Sequence, residues 1–332
     1  MKNINLAIVG ATGMVGRTFL KILEERNFPI DNLYLFASSK SKGQKLTFKD
    51  KEYVVEELQE TSFNGDIDIA LFSAGGEVSK RFAPIAKEKG VIVIDNSSAW
   101  RMNDEVPLVV PEVNPSDVTW HKGIISNPNC STIQCVVPLK PLHDLFKIKR
   151  IVFSTYQAVS GSGLGGLKDL ENGLNSLKPK KYPHPIAFNC LPHIDIFMDN
   201  NYTKEEMKMI QETKKILDDD SLNITATSVR VPVKFGHCVS INLEFERTFE
   251  IQDIYNSFRS SKGIIVQDDV SRNIYPTPLS CEGTDDVYVG RIRRDYSIKN
   301  GLNLWVVADN IRKGAATNTV QIAELLLKYF KM

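Results

Sequence analysis

The stretch NLAIVGATGMVGRTFLKILEER, residues 5–26, decides the fold of the first half of the chain. A short apolar run ends at Val9 and is followed by a turn that holds three glycines. Beyond the turn, apolar residues recur near the 3.6-residue period of one helix face. The order of strand, glycine turn and helix is typical of the opening unit of a nucleotide-binding α/β domain.

The three glycines, Gly10, Gly13 and Gly16, lie where the predicted helix begins. Glycine lets the backbone approach a dinucleotide pyrophosphate, and a helix N-terminus offers N–H groups and the positive end of its dipole. The spacing is GxxGxxG rather than the commoner GxGxxG, so the interpretation depends on the strand before it and the helix after it. A tight turn without a ligand remains the alternative.

The second predicted strand, NLYLFAS at 32–38, ends without an acidic residue. Sites selective for NAD usually place Asp or Glu there to hold the ribose 2′-hydroxyl. Here Ser38, Ser39, Lys40 and Lys42 follow instead, a set that suits a 2′-phosphate. The sequence therefore favours NADP, with a solvated polar loop as the alternative.

The rest of the first half repeats the same alternation. Apolar runs lie at 68–74 and 90–97, with a helix-compatible segment at 79–90 between them. Short, fully apolar strands that alternate with helices predict a doubly wound parallel sheet, because such strands are buried on both faces. We place this α/β domain over about the first 128 residues.

After residue 128 the pattern changes to longer strands without regular strand–helix–strand units. This pattern predicts an α+β domain built on a mixed or antiparallel sheet. The strand-like segments are 150–161, 223–233, 237–246, 287–296 and 301–309.

Helices and loops of the second half are predicted from end signals. Thr203 and Glu206 form a capping-box pattern at the start of a helix over 203–219. The amphipathic segment 315–330 predicts a terminal helix that returns to the first domain. Two exposed loops are expected, one rich in glycine and one in proline: 161–166 and 179–192.

Composition limits the classes of partner. The chain has 332 residues, enough for two domains, and its 41 Lys and Arg nearly balance 40 Asp and Glu. A formal charge of +1 offers no field for nucleic acid or an anionic membrane, so we expect a small-molecule partner. Five scattered cysteines without a CxxC pair indicate reduced thiols and no zinc site. Without a signal-peptide core or a long apolar run, we expect a cytoplasmic protein.

One cysteine stands out in SNPNCSTIQCVV, residues 126–137. Cys130 follows an Asn-Pro-Asn turn at the start of a predicted helix, where unpaired N–H groups favour the nucleophilic thiolate. Cys135 lies within the apolar run and is predicted to be core. For Cys130, the local sequence leaves nucleophile and packing residue equally open.

A thiolate nucleophile needs a proton carrier, and His237 follows a strand and a glycine. Arg230 precedes it by seven residues, a separation that puts the two on opposite faces of a regular strand. If both serve one site, the chain must bend near Pro232 or Gly236. The other four histidines have no partner that the sequence identifies.

The remaining charged candidates have competing interpretations. Arg230 suits a carboxylate, because its guanidinium donates two parallel hydrogen bonds. Arg101 follows the fourth predicted strand, where doubly wound sheets bind ligands, and suits a phosphate. For both arginines the alternative is a surface ion pair. Glu205 and Lys208 are three apart on one helix face, and their alternative is a solvent-exposed pair.

Seven motifs in fixed order give a resemblance to a known family. They are GATGMVG, DNSSAWR, PLVVPEVN, SNPNCST, YQAVSGSG, VRVPVKFGH and DNIRKGAATNTV. Together they span nearly the whole chain, which resembles the aspartate-semialdehyde dehydrogenases of the bacterial type. The resemblance implies reduction of 4-phospho-L-aspartate by NADPH to L-aspartate 4-semialdehyde, on the route to lysine, threonine, methionine and diaminopimelate.

The resemblance also implies roles, position by position. Cys130 matches the nucleophile, His237 the acid/base and Gln157 the glutamine that orients the acyl intermediate. Arg230 matches the ligand of the substrate carboxylate and Glu205 that of its amino group. Further substrate contacts are implied for Arg101 and Lys208 at the phosphate and for Asn129 beside the nucleophile.

For the cofactor and the assembly, the resemblance implies a Rossmann-type NADP-binding domain, 1–128 plus 313–332, and a catalytic and dimerisation domain, 129–312. It implies a homodimer or homotetramer, with inorganic phosphate as co-product. No role is assigned to the loop between Gly166 and His193. The implied cofactor residues are Gly10, Ala11, Thr12, Gly13, Met14, Val15, Ser38, Ser39, Ser73, Gly75, Gly76, Ser160, Gly161 and Asn310.

Two other functions compete with this one. N-acetyl-γ-glutamyl-phosphate reductase shares the architecture and the acyl-phosphate chemistry, but an acetylated amino group needs no acid such as Glu205. A catalytically silent paralogue would have lost the nucleophile or the acid/base. Cys130 and His237 are both present.

Overall fold

The computed structural model describes residues 3–330 of the chain. The chain forms two compact units. The first comprises the chain up to Pro128 and from Ala315 onward, and the second comprises Asn129–Gly314.

The first unit contains a six-stranded sheet in which every neighbouring pair is parallel, in the order β5-β2-β1-β6-β7-β8. The predicted doubly wound parallel sheet is therefore confirmed. A separate antiparallel pair, β3 and β4, lies between β2 and β5 along the chain. The elements are β1 (Ile4–Val9), α1 (Met14–Glu25), β2 (Ile30–Ala37), β3 (Lys45–Phe48), β4 (Lys51–Val54), β5 (Glu56–Glu57), β6 (Ile69–Phe72), α2 (Gly76–Glu88), β7 (Ile92–Asp95) and β8 (Ile124–Ser126).

Both faces of this sheet are covered, which explains its uninterrupted apolar strands. In β1, Leu6 and Ile8 belong to one buried cluster, whereas Ala7 and Val9 belong to another. The carboxyl ends of the parallel strands lie at one edge, and the glycine turn follows β1 at that edge.

The second unit is built on a six-stranded mixed sheet in the order β10-β9-β11-β14-β13-β12. β9 runs parallel to β10, and β11 and β14 are antiparallel to their neighbours. This confirms the α+β prediction. The elements are α3 (Cys130–Phe146), β9 (Ile148–Gln157), α4 (Gly163–Leu174), α5 (Lys204–Leu217), β10 (Asn223–Arg230), β11 (His237–Phe245), α6 (Ile251–Ser260), β12 (Ile264–Val266), α7 (Pro278–Cys281), β13 (Val287–Asp295) and β14 (Gly301–Ala308).

Alternation along the strands fixes which face of the mixed sheet is core. Val239, Ile241 and Leu243 of β11 are fully buried, whereas Ser240 and Asn242 between them are half-buried. Helix α3 packs against β9, β11 and α5 and buries residues on all of its sides. This apolar environment holds Cys135, whose exposure is 0% as predicted, and burial raises the pKa of its thiol well above the usual value.

The glycine-rich segment 161–166 is not the predicted exposed loop. A short helical turn at Val159–Ser162 leads directly into α4, so three of its glycines lie in the first turn of a helix. Close packing is the reason: a Cβ on Gly166 would lie 2.2 Å from the Val159 carbonyl oxygen. Gly166 thus permits close backbone packing, whereas Gly163 has φ = +70°, in the region that favours glycine.

The predicted helix start at Thr203 is confirmed, and both predicted helices of the second half are present. Thr203 Oγ1 accepts the Glu206 N–H, and the Glu206 carboxylate accepts the Thr203 N–H at 2.7 Å, which is a complete capping box. The terminal helix is α8 (Thr317–Phe330). Within residues 3–330, no helix combines the length and apolarity needed to cross a membrane.

Candidate active site

Three candidate residues lie at one edge of the mixed sheet because their strands are neighbours. Gln157 ends β9 and pairs in register with Arg230, which ends the parallel strand β10. His237 begins β11, which is antiparallel to β9 and pairs Cys238 with Tyr156. Opposite strand directions thus bring the end of β9 and the start of β11 to the same place.

The chain bends between Arg230 and His237, as their odd spacing requires. Residues 231–236 leave the sheet, and Gly236 has φ = +85°, in the region that favours glycine. The two side chains converge above Gly161, where a Cβ would lie 2.8 Å from Arg230 Nη1 and 3.3 Å from His237 Nε2. The predicted bend is therefore confirmed.

His237 is fully buried, and its tautomer follows from its neighbours. The Ala158 N–H donates to Nδ1 at 3.0 Å, so a neutral ring holds its proton on Nε2. Nε2 has no hydrogen-bond partner among the described residues. Burial, and secondarily the charge of Arg230, hold the pKa of His237 well below its ordinary value. The imidazole is therefore neutral at pH 7, with Nε2–H available to a reacting group.

Cys130 is the first residue of α3, as the sequence predicts. Its preceding residue, Asn129, caps the helix because Oδ1 accepts the N–H groups of Ser131 and Thr132. A Cβ on Gly314 would lie 2.8 Å from the Cys130 Cβ, so only glycine fits beside the thiol. Cys130 is half-buried, unlike Cys135 five residues further on.

Glu205 is the centre of a buried hydrogen-bond network. Its Oε1 accepts from Asn129 Nδ2 at 2.9 Å and from Gln157 Nε2 at 3.2 Å, and its Oε2 lies 3.1 Å from Lys208 Nζ. Burial alone would raise the pKa of Glu205, but Lys208 and these hydrogen bonds hold it below the ordinary value. The carboxylate is therefore charged and aimed at the start of α3.

Lys208 is shared between two carboxylates. Besides Glu205, Asp195 Oδ2 lies 2.8 Å from its Nζ. Burial lowers the pKa of Lys208, but the two acids outweigh that effect and raise it. The side chains of Glu205 and Lys208 are only 6% and 18% exposed, so the solvent-exposed pair considered above is wrong.

Arg230 is buried rather than part of a surface ion pair. Its Nη1 donates to the Ala158 carbonyl at 2.7 Å, the same residue whose N–H contacts His237. Its backbone forms two hydrogen bonds with Leu191, at 2.8 and 2.9 Å. The loop between Gly166 and His193, to which no role was assigned, thus fixes the backbone of Arg230 through Leu191. Asp195, just beyond that loop, holds the side chain of Lys208.

Arg101 belongs to the first unit and is also buried. Its Nε donates to the Asn127 carbonyl at 3.0 Å and its Nη2 to the Asn96 carbonyl at 2.8 Å. Two backbone acceptors therefore hold the guanidinium in place. A surface ion pair is excluded here as well, since the residue is 7% exposed.

The glycine turn of the first unit fits a dinucleotide. Gly10 has φ = +87°, and a Cβ on it would lie 2.4 Å from the Ser73 carbonyl oxygen. A Cβ on Gly16 would lie 2.2 Å from the Gly10 carbonyl oxygen. Helix α1 begins at Met14 without a described side-chain cap, so its first N–H groups suit an anion.

The end of β2 combines the predicted serines and lysines with one acid that sequence reasoning missed. Ser38, Ser39, Lys40 and Lys42 are all exposed. Glu57 of β5 pairs with Ala37, the last residue of β2, and its carboxylate lies 3.6 Å from Lys42 Nζ. An acid therefore does lie beside the expected ribose position, but a lysine partly neutralises it.

The other proposed cofactor residues fall into two sets. Ser73 and Gly75 connect β6 to α2, which begins at Gly76, and Gly75 has φ = +89°. In the second unit, Ser160 Oγ and the Asn310 side chain exchange hydrogen bonds at 3.0–3.2 Å, and the Gly236 N–H donates to Asn310 Oδ1. No three His, Cys, Asp or Glu side chains between residues 3 and 330 form a metal-binding group.

Sequence reasoning missed three residues that contact this site: Asp195, Glu212 and Gly314. Glu212 Oε2 accepts the Asn129 N–H at 2.6 Å. Helical spacing could have found it, since it lies seven residues after Glu205 on the same helix face. Asp195 lies in an irregular segment that has no periodicity to place it.

Family models and curated relatives agree on this chain. The NAD binding domain of semialdehyde dehydrogenase matches residues 5–121, and the semialdehyde dehydrogenase dimerisation domain matches 139–313. Aspartate-semialdehyde dehydrogenase of Aquifex aeolicus is 58% identical over 333 residues, covering 97% of this chain and 98% of that protein. The Bacillus subtilis enzyme of the same name is 49% identical, with 98% of each chain covered.

Solved structures give the same result. Aspartate semialdehyde dehydrogenase II of Vibrio cholerae, complexed with ASA, superposes with a TM-score of 0.96 at 47% identity, covering 99% of this chain and 100% of that one. The Candida albicans aspartate semialdehyde dehydrogenase with NADP has a TM-score of 0.78 at 27% identity and 98% coverage of both chains.

Proposed function

This chain belongs to the aspartate-semialdehyde dehydrogenase family, and on that premise we propose that it reduces 4-phospho-L-aspartate to L-aspartate 4-semialdehyde with release of phosphate. The observation that best supports this is the Glu205 network. It ties a carboxylate that suits a free amino group to Asn129, the residue directly before the Cys130 thiol. We also propose that the product of this reaction is used in the synthesis of lysine, threonine, methionine and diaminopimelate, as the family resemblance implies.

The reaction begins at Cys130. Its thiolate attacks the acyl carbon of the acyl phosphate, the carbon–oxygen bond to phosphate breaks, and a thioester forms on the sulfur. We assign the Gln157 amide to orient the acyl group, the role that the family resemblance implies for it. Gln157 is 1% exposed and is held by Glu205, which gives it a fixed position.

His237 presents its Nε2 proton to the reacting oxygen of the substrate. The neutral ring holds its proton on the unpartnered Nε2, which points toward the same space as Arg230 Nη1 above Gly161. Nε2–H donates a hydrogen bond to the carbonyl oxygen of the thioester and stabilises the alkoxide that forms when this carbonyl is reduced. The alkoxide then collapses to the aldehyde as the carbon–sulfur bond breaks, Cys130 leaves as the thiolate, and Nε2 keeps its proton.

Each charged group of the substrate requires a partner of opposite charge. We assign Arg230 to the substrate carboxylate and Glu205 to its ammonium group, since one is a buried fork of donors and the other a charged acceptor. Lys208 is our proposed phosphate ligand in the second unit. Arg101 keeps the phosphate role implied by the motif DNSSAWR in the first unit.

We propose NADP as the cofactor, bound by the glycine turn with its 2′-phosphate toward Ser38, Ser39 and Lys40. When bound, its nicotinamide supplies the hydride. The close backbone packing at Gly10 and Gly16 supports this proposal, because the first and third glycines of a dinucleotide-binding turn serve the tight turn and the helix packing. We also propose that the chain acts as a homodimer or a tetramer.

The substrate assignment predicts a large discrimination. With NADP⁺ and phosphate, catalytic efficiency for L-aspartate 4-semialdehyde should exceed that for N-acetylglutamate semialdehyde by at least about 10³-fold, because an acetylated nitrogen carries no positive charge for Glu205 to bind. Initial rates of cofactor reduction measure both. Turnover of only the acetylated substrate would favour the rival reductase, and turnover of neither would favour a silent paralogue.

The cofactor assignment predicts a preference for NADPH over NADH of at least about tenfold in kcat/KM, since one phosphate contact contributes about 1.4 kcal/mol or more. Replacing Lys40 with alanine should reduce this preference. Lys45→Ala is the matched control, because Lys45 is also exposed but pairs with Glu52. Equal efficiency with the two cofactors in the wild type would refute the NADP assignment.

A further inference from the structure

Helix α5 presents one face to the start of α3. Glu205, Lys208, Met209 and Glu212 follow the spacing of a single helix face, and three of them contact that region directly. Glu205 bonds the Asn129 side chain, the sulfur of Met209 lies 3.6 Å from Thr132 Oγ1, and Glu212 bonds the Asn129 backbone. The proposed function uses only Glu205 and Lys208 from this face.

Asn129 is held at three points as a result. Its backbone N–H donates to Glu212 Oε2 at 2.6 Å, its Nδ2 donates to Glu205, and its Oδ1 accepts two N–H groups of α3. Hydrogen bonds to its backbone N–H and to both side-chain amide atoms, Oδ1 and Nδ2, hold Asn129 in one conformation. Its carbonyl carbon is bonded to the nitrogen of Cys130, so the backbone of the thiol residue is fixed with it.

Glu212 is unusual for a carboxylate because it is 1% exposed. Such burial is costly unless the group makes strong hydrogen bonds, and the short bond to Asn129 is one of them. Glu206, on the same helix, is 8% exposed and also accepts backbone N–H groups, but those of Thr203 and Ser228. Both residues are buried carboxylates that accept backbone N–H groups, but only Glu212 contacts Asn129, the residue before Cys130.

We propose that Glu212 is a positioning residue: it holds the backbone N–H of Asn129, the residue directly before Cys130, and thereby sets the reactivity of the Cys130 thiol. The proposal rests on the proposed function in taking Cys130 as the nucleophile. In this role the length of the Glu212 side chain matters, because its carboxylate oxygen must reach the Asn129 nitrogen. Its negative charge is not required.

Two substitutions separate reach from charge. Glu212→Gln retains an acceptor oxygen at the same distance from the backbone and loses the charge, whereas Glu212→Asp retains the charge and is one methylene too short. Glu206→Asp is the matched control for shortening a buried carboxylate of the same helix. For each full-length variant, we would measure kcat, KM and the rate of Cys130 alkylation by iodoacetamide at neutral pH, quantified by peptide mass spectrometry.

Cys190 serves as an internal control because it is exposed and distant from α3 in sequence. We expect Glu212→Asp to lower kcat at least thirtyfold and Cys130 alkylation about tenfold, with KM and Cys190 alkylation within threefold of wild type. Glu212→Gln and Glu206→Asp should stay within threefold of wild type in all four quantities.

The proposal is overturned if folded Glu212→Asp reacts and turns over like wild type. It is also overturned if Glu212→Gln lowers kcat and Cys130 alkylation as much as Glu212→Asp does, because the effect would then come from charge. An equal loss in Glu206→Asp would overturn it as well, because the effect would then come from a general loss of structure. A wild type inactive on L-aspartate 4-semialdehyde would refute the proposed function instead, and the alkylation rates would still decide the role of Glu212.

Discussion

Cys130→Ser is expected to lower turnover by at least about 10⁴-fold while leaving NADP affinity within about twofold of wild type. The thiolate is the attacking atom, and a serine hydroxyl at the first position of α3 has no comparable anion near pH 7. The glycine turn that we propose for the cofactor lies in the other unit, so cofactor binding should not respond. Steady-state rates and fluorescence titration with NADPH measure the two quantities.

Cys135→Ala is the matched control for Cys130→Ser. Cys135 lies on the same helix and is fully buried among apolar residues, so its removal leaves a small cavity and lowers the free energy of unfolding by about 1 kcal/mol. Turnover should remain near that of wild type. Residual activity of more than a few per cent in folded Cys130→Ser would reject covalent catalysis by this thiol.

Much of the fold was predictable because local patterns and tertiary environment agree. The apolar run before Gly10 is apolar on both faces since helices cover both sides of the sheet. The capping box at Thr203 is purely local and forms as predicted. The glycine-rich segment 161–166 misled the prediction, because glycine composition does not distinguish a flexible loop from a helix start packed against a carbonyl.

The site was predictable to a different degree. The bend between Arg230 and His237 was predicted from strand geometry on the condition that both serve one site, and their convergence above Gly161 agrees with it. Long-range contacts were beyond the sequence: Asp195 reaches Lys208 from an irregular segment, and the Leu191 backbone pairs with Arg230. Spacing predicts which residues share a helix face, but it does not say what the face contacts.

Arg230→Leu is the second large effect that we expect, with kcat/KM for L-aspartate 4-semialdehyde reduced by about 10³-fold or more. Two charge-assisted hydrogen bonds to a carboxylate contribute about 1.5–3 kcal/mol each, and leucine supplies neither. Arg230→Lys keeps the charge without the planar fork and should recover only part of the loss. Folding should change far less, because the backbone bonds to Leu191 remain.

The same substitution gives a second readout through His237. Burial and then the Arg230 charge hold the pKa of His237 below its ordinary value, so removing that charge raises the pKa in the folded protein. Protonation of His237 would place a proton on Nδ1, where the Ala158 N–H already donates, so the active form is the neutral ring. The acid limb of the kcat profile should therefore move to higher pH in Arg230→Leu but not in Arg230→Lys. Thermal unfolding of the same variants decides whether Arg230 binds substrate or supports the structure. A large loss of stability with no shift of the acid limb would mean that Arg230 stabilises this end of the sheet and does not bind substrate.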